Sequence, residues 1–129
     1  MKKHAPEESI SRLLDAIGKS PRIQILMAIR EGEACVCHLE AYLGFKQAYI
    51  SQNLMALRKA GVLISRREGR YVFYRLRDLR LLDLIETAGV IVDVEHEALQ
   101  TLFLSELPSN CECPSCEVSL QIDPSPAST

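Results

Sequence analysis

No run of about 18 apolar residues occurs in the 129-residue sequence, so no segment is expected to span a membrane. There is also no phosphate-binding glycine loop, no His-Glu-x-x-His pair and no nucleophile elbow. Those absences remove the commonest signatures of catalysis, and neither an enzyme nor a small organic substrate is expected. The opening Met1-Lys2-Lys3-His4-Ala5-Pro6-Glu7-Glu8 carries positive charge with no apolar stretch behind it. It does not read as a secretory signal, and a cytoplasmic location is expected. No internal repeat is visible. What is present is ordinary: 47% apolar and 25% charged residues, a globular balance that excludes wholesale disorder. A chain of this length is a single domain as a prior, able to bury roughly two-thirds of the surface it exposes when unfolded.

The formal net charge of −2 conceals an asymmetry. Between Gly44 and Arg80 stand nine basic residues (Lys46, Arg58, Lys59, Arg66, Arg67, Arg70, Arg75, Arg77, Arg80) against only Glu68 and Asp78. That segment carries +7 and the remainder −9. A positive face on an acidic body is the electrostatic footprint of a polyanion-binding surface.

Periodicity supplies the elements. Ile10, Leu13, Leu14 and Ile17 repeat at helical spacing and predict a helix from about Glu7 to Ile17, ended by Gly18. Ser20-Pro21 reads as N-cap and first helical residue of a second helix carrying Ile23, Leu26, Met27 and Ile29, closed by Glu31-Gly32. A short helix from about Val36 to Leu43 breaks at Gly44-Phe45, and another runs from about Gln47 to Ala60 with Ile50, Leu54 and Leu57 inward and Gly61 at its C-cap. Two helices joined by a tight turn with glycine make a helix-turn-helix. Val62–Arg67 and Arg70–Leu76, flanking Glu68-Gly69, predict a β-hairpin. Asp78 can cap a final helical stretch through Leu82, Ile85, Leu99, Leu102 and Phe103, as one helix or as two, ended by Pro108-Ser109-Asn110. Asp123 to Thr129 is a disordered tail by composition. The expected division is a winged-helix and dimerisation domain over 1–107 and a cysteine-containing segment with tail over 108–129.

A helix-turn-helix followed by a hairpin is a winged helix, a mainly α fold with a β-hairpin wing. Its second helix fits the major groove of double-stranded DNA while the hairpin lies on the backbone beside it. Opposite the apolar stripe, that helix is expected to expose Lys46, Gln47, Tyr49, Ser51, Gln52 and Asn53, short or flat hydrogen-bonding side chains suited to base edges. Arg66, Arg67 and Arg70 flank the hairpin tip and can reach phosphates or the minor groove.

Five cysteines in a reducing compartment are not expected to form disulfides and read first as metal ligands or redox groups. They form two clusters, Cys35 with Cys37, and Cys111, Cys113 and Cys116. Residues two apart on a regular helix point some 200° away from each other. Cys35 and Cys37 can then share one ion only if the turn is irregular or unwinds. Thiolates suit soft ions: As(III) and Sb(III) take three sulfurs, Cd(II) and Pb(II) three or four, whereas Mg(II) and Ca(II) are excluded. Cys111, Cys113 and Cys116 can alternatively hold a structural zinc, and a thiol-redox or persulfide-sensing role is a further alternative. Cys113-Pro-Ser-Cys116 has oxidoreductase spacing, but the strand-helix context of that motif is missing. His38 reads as an ordinary exposed histidine.

Residues 34 to 77 resemble the ArsR/SmtB family of dimeric winged-helix repressors of metal and metalloid resistance operons. The resemblance rests on Cys35-x-Cys37-x-Leu39, on Ser51-x-x-Leu54-x-x-Leu57-Arg58-x-Ala60-Gly61, and on Glu68-Gly69-Arg70 ahead of an aromatic strand. The family often has histidine where Gln52 and Asn53 stand, and a smaller residue than Tyr49, departures that bear on the operator sequence. The resemblance implies a homodimer packed through its first and last helices. It also implies that Cys35 and Cys37 form an arsenical or heavy-metal site, completed by a cysteine elsewhere, and that such an ion releases operator DNA. The family's zinc site on the last helix is not implied, since Asp93 and His96 do not match its spacing.

Overall fold

The computed structural model describes residues 5–100. Helix α1 (Pro6–Ile17) begins with proline, whose missing N–H is no loss there, and with Glu7 and Glu8 against the positive helix end. Helix α2 (Ser20–Ile29) lies at the centre and packs on α3, α4, β3 and α5. Its N-cap is Lys19 rather than Ser20, and no side chain caps it. It closes on Arg30, a non-glycine residue held at a positive φ of 55°. The expected stop at Glu31-Gly32 therefore falls slightly late.

Helix α3 (Val36–Leu43) ends on Gly44 at φ 76°, and α4 (Gln47–Lys59) is followed by Gly61 at φ 80°. Both glycines occupy backbone space that a side chain would strain. Ile50, Leu54 and Leu57 of α4 are fully buried with Ile25, Leu26, Met27 and Leu39. Burying each such side chain contributes about 1.5–3 kcal/mol, and this shared core fixes the helix pair.

The hairpin is β2 (Leu63–Glu68) and β3 (Tyr71–Leu76), joined through Gly69 at φ 63° and Arg70. The sheet also has a strand that sequence reasoning missed. Strand β1 (Ala34–Cys35) pairs antiparallel with β3, Ala34 opposite Tyr74 and Cys35 opposite Phe73, so the order is β1-β3-β2. Two residues are too short for a period-2 pattern to register.

The final helical stretch is two helices, α5 (Arg80–Ile91) and α6 (His96–Gln100), separated where Asp93 adopts φ 63°. The N-cap of α5 is Leu79 rather than the anticipated Asp78, and it makes no side-chain cap bond; the Asp78 carboxylate, one residue earlier, accepts the Arg80 backbone N–H at 2.9 Å. Ile10 and Leu14 on α1 and Val90, Ile91 and Val92 at the end of α5 remain exposed. Leu14, Ile17, Ile23, Leu84, Ile85 and Leu99 line an apolar groove of about 450 Å³ between these helices. No helix of the described residues is long and apolar enough to cross a membrane. The boundary at 107/108, Leu102, Phe103, Cys111, Cys113, Cys116 and the terminal tail lie outside the described residues.

Candidate DNA-reading face and thiol site

Helix α4 projects Gln47, Tyr49 and Gln52 into solvent after Lys46, its N-cap, with Ser51 half-buried. Tyr49 sits edge-on to Phe45 with ring centroids 5.4 Å apart. Met55 and Arg58 continue the face towards the wing, where Arg58 Nη1 reaches Ser65 Oγ at 3.4 Å. Ser51, Met55, Arg58, Ser65, Arg67 and Tyr74 line the cleft of about 440 Å³ between helix and wing.

Asn53 departs from expectation, being only 6% exposed. Its Nδ2 donates to the Tyr49 carbonyl at 2.9 Å, and its Oδ1 accepts from Arg22 Nε at 2.9 Å. Arg22 Nη1 in turn donates to the Ala16 carbonyl at 3.0 Å. Asn53 thus faces the protein and is not exposed for base reading. Through Arg22 it ties α4 to α2 and the end of α1. The sequence carried one signal for this: Asn53 directly precedes Leu54 and lies three residues after Ile50, within the buried arc of α4.

Arg66 also departs from expectation. Its Nε and Nη2 donate to both oxygens of Glu33 at 2.8 Å each, and Nη1 donates to Glu68 at 3.0 Å. The guanidinium carbon lies 4.6 Å from the centre of the Phe73 ring. A planar fork over a carboxylate is the strong form of such pairing. Arg66's hydrogen bonds hold the Glu33 carboxyl below the usual carboxylate range, and Glu33 with Glu68 raises the Arg66 pKa. In the protein alone this wing arginine is forked on carboxylates. Arg67 is exposed, and Arg70 is exposed while leaning on Tyr71, 5.4 Å from its ring.

The thiol pair takes the irregular turn that its spacing allowed. Cys35 is not on a helix: it ends β1 and serves as N-cap of α3, at φ −95° and ψ 173°. That extended residue redirects its side chain, and Cys35 Sγ lies 2.9 Å from Cys37 Sγ without any unwinding. Cys35 is 2% exposed and Cys37 half-buried. Both pack with Phe73 and Tyr71 in a small cluster separate from the main core. Cys35 Sγ accepts the His38 backbone N–H at 3.4 Å, at the positive end of α3. His38 is 6% exposed, not a surface residue, and its ring stands 4.9 Å from Tyr42. Burial pushes its pKa below the ordinary value. Bonds of about 2.3 Å to a shared soft ion at angles near 90–110° set two sulfurs about 3.3–3.8 Å apart. Cys35 and Cys37 fit such an ion after separating by under about 1 Å. Among the described residues no group of three His, Cys, Asp or Glu side chains forms a metal site.

A helix-turn-helix carrying an arginine-bearing β-wing is the architecture of a winged-helix DNA-binding regulator. The family model described as "Bacterial regulatory protein, arsR family" matches residues 19–65. Over 99 residues the chain is 36% identical to the biofilm growth-associated repressor of Agrobacterium fabrum, covering 77% of this chain and 83% of that one. It is 31% identical over 105 residues to the arsenical resistance operon repressor of Escherichia coli, covering 78% and 86%. A homodimeric winged helix-turn-helix domain from Mycobacterium bovis superimposes with a TM-score of 0.61 at 27% identity, covering 74% of this chain and 95% of that one. This chain belongs to the ArsR/SmtB family of winged-helix transcriptional regulators.

Proposed function

We propose that the chain is a homodimeric, non-enzymatic repressor that holds double-stranded operator DNA when unliganded. It lets go when a soft ion bonds its thiols, As(III) or Sb(III) foremost and Cd(II) or Pb(II) next. The observation that carries the reading is the 2.9 Å separation of Cys35 and Cys37 Sγ at the start of α3, the helix packed against α4. Arsenous acid exchanges one hydroxyl for each sulfur; the thiol proton leaves with that hydroxyl as water. A third sulfur comes from Cys111, Cys113 or Cys116 of either subunit, in keeping with the three-sulfur preference of As(III). The exposed apolar residues of α1 and α5 support a dimer through those helices. Such a dimer presents two copies of α4 to half-sites about one helical turn apart.

Shifting a repressor from about 99:1 to 1:99 between its two forms takes about 5.5 kcal/mol of differential affinity. Sulfur–metal bonding is of that order or stronger. Cys35→Ser and Cys37→Ser are expected to retain operator binding and lose release in a mobility-shift titration with arsenite and Cd(II). Release of both variants at wild-type concentrations overturns the assignment.

The closeness of the sulfurs also supports a second reading, a thiol-redox repressor. Two thiols would give two electrons and two protons to hydrogen peroxide, forming one disulfide and two waters. Release by peroxide but not by arsenite selects that reading.

A further inference from the structure

Register places Cys35, Phe73 and Arg66 in one row across the sheet: Cys35 opposite Phe73 on β1 and β3, and Phe73 opposite Arg66 on β3 and β2. Phe73 is 1% exposed and forms with Cys35 a cluster of its own, against which Cys37 and Tyr71 pack. The Arg66 guanidinium lies over that same ring at 4.6 Å. Glu33, two residues before Cys35 along the chain, grips Arg66 through two bonds of 2.8 Å. Two connections therefore join the sulfur pair to the wing, one through the Phe73 ring and one through the backbone to Glu33.

From this arrangement we infer that the Glu33–Arg66 pair is the latch coupling the thiol site to the wing. This inference rests on the thiol-sensing reading and adds its route. The physical argument is one of displacement. Receiving a shared ion widens the sulfur pair from 2.9 Å to about 3.3–3.8 Å. Cys37 is on the first turn of α3 and Cys35 on β1, so the widening moves strand against helix. The small cluster around Phe73 stands apart from the main core, and close-packed side chains transmit such a shift rather than absorb it. Glu33 moves with β1, and a bidentate fork tolerates little misalignment before one of its bonds is lost. Latched, Arg66 braces β2 and holds Arg67 and Arg70 at a fixed attitude towards the backbone of DNA. Unlatched, the wing loses that attitude. Arg66 is on this view a positioning residue, and Glu33 is its partner.

Coupling is a ratio, and the test measures it as one. Operator affinity of the full chain is determined by fluorescence anisotropy with and without arsenite, and arsenite binding is followed separately by sulfur–arsenic absorption in the near ultraviolet. Glu33→Gln keeps the side chain's shape and removes its charge. It is expected to bind arsenite, yet to lower the ratio of operator affinities without and with arsenite by about fivefold or more, the lower end of typical coupling between sites. The exchanged pair Glu33→Arg with Arg66→Glu is expected to recover most of the lost ratio, which general damage to the fold would not allow. An unchanged ratio in Glu33→Gln, in a wild type that releases normally, overturns the latch and leaves thiol sensing intact. A lowered ratio that the exchanged pair fails to recover overturns the ion pair as its carrier. A wild type that binds no arsenite, or binds it and stays on DNA, overturns the thiol reading and the latch together.

Discussion

Substituting alanine at Asn53 or at Gln52, adjacent residues on α4, separates a brace from a reader. Asn53→Ala removes the hydrogen bond to the Tyr49 carbonyl and leaves Arg22 Nε without its acceptor. A neutral hydrogen bond contributes about 0.5–1.5 kcal/mol net, and one involving a charged group about 1.5–3 kcal/mol. Arg22 is only part-buried, and water recovers some of its loss, so a destabilisation of about 2 kcal/mol is expected. For a protein of this size that lowers the thermal midpoint by very roughly 6–12 °C. Gln52 is exposed, and its alanine variant is expected to stay within about 0.5 kcal/mol of wild type. The roles reverse on DNA. Gln52→Ala gives up about 1–3 kcal/mol of discrimination between operator and a mismatched site. Asn53→Ala, measured well below its own transition, weakens both sites in similar proportion. Urea denaturation at fixed protein concentration and competition anisotropy with the two DNA sites provide the readings. If Asn53→Ala proves as stable as wild type and loses sequence discrimination, Asn53 reads bases and does not brace the helix.

Other expectations follow from the same geometry. Arg67→Ala and Arg70→Ala should weaken binding to all sequences alike and each reduce the salt slope by about 1; a loss confined to the operator would place these side chains on bases. Ile10→Glu adds charge to a residue 58% exposed on the apolar face of α1, so it should leave the fold intact but shift sedimentation from dimer to monomer at micromolar concentration. A dimer as tight as wild type would move the interface elsewhere. Hydrogen bonds from Arg80 hold the Asp78 carboxyl down at about 2, against an ordinary 3.8. The sign follows: its contribution to stability is full above the ordinary value and fades as pH falls towards about 2. Asp78→Asn should therefore show a shallower loss across that window than wild type, while equal acid profiles would deny the carboxylate that role.

Local signals told the truth where local physics decides. Gly44 and Gly61 marked helix ends because those positions need positive φ, and Glu68-Gly69-Arg70 marked the hairpin for the same reason at Gly69. The thiol pair was legible as a pair, but its geometry was not. Spacing left open whether the turn holding both thiols is irregular or unwinds, and pairing with Phe73, 38 residues away, makes it irregular by drawing Cys35 into a strand. His38 likewise looked like a surface residue, yet it is 6% exposed with its ring against Tyr42, one helical turn on.

The order of residues alone determined the helix-turn-helix, the wing and the placement of basic side chains on both, since each depends on spacing within a dozen positions. Which of those side chains face outward was decided only once the chain had folded. Asn53 turned inward because Arg22, 31 residues earlier, offered a part-buried partner. Arg66 was drawn aside because Glu33, 33 residues earlier, lies beside it across the sheet. A charged or polar group settles where its desolvation is best compensated, and the compensating partner is set by tertiary packing rather than by neighbours along the chain.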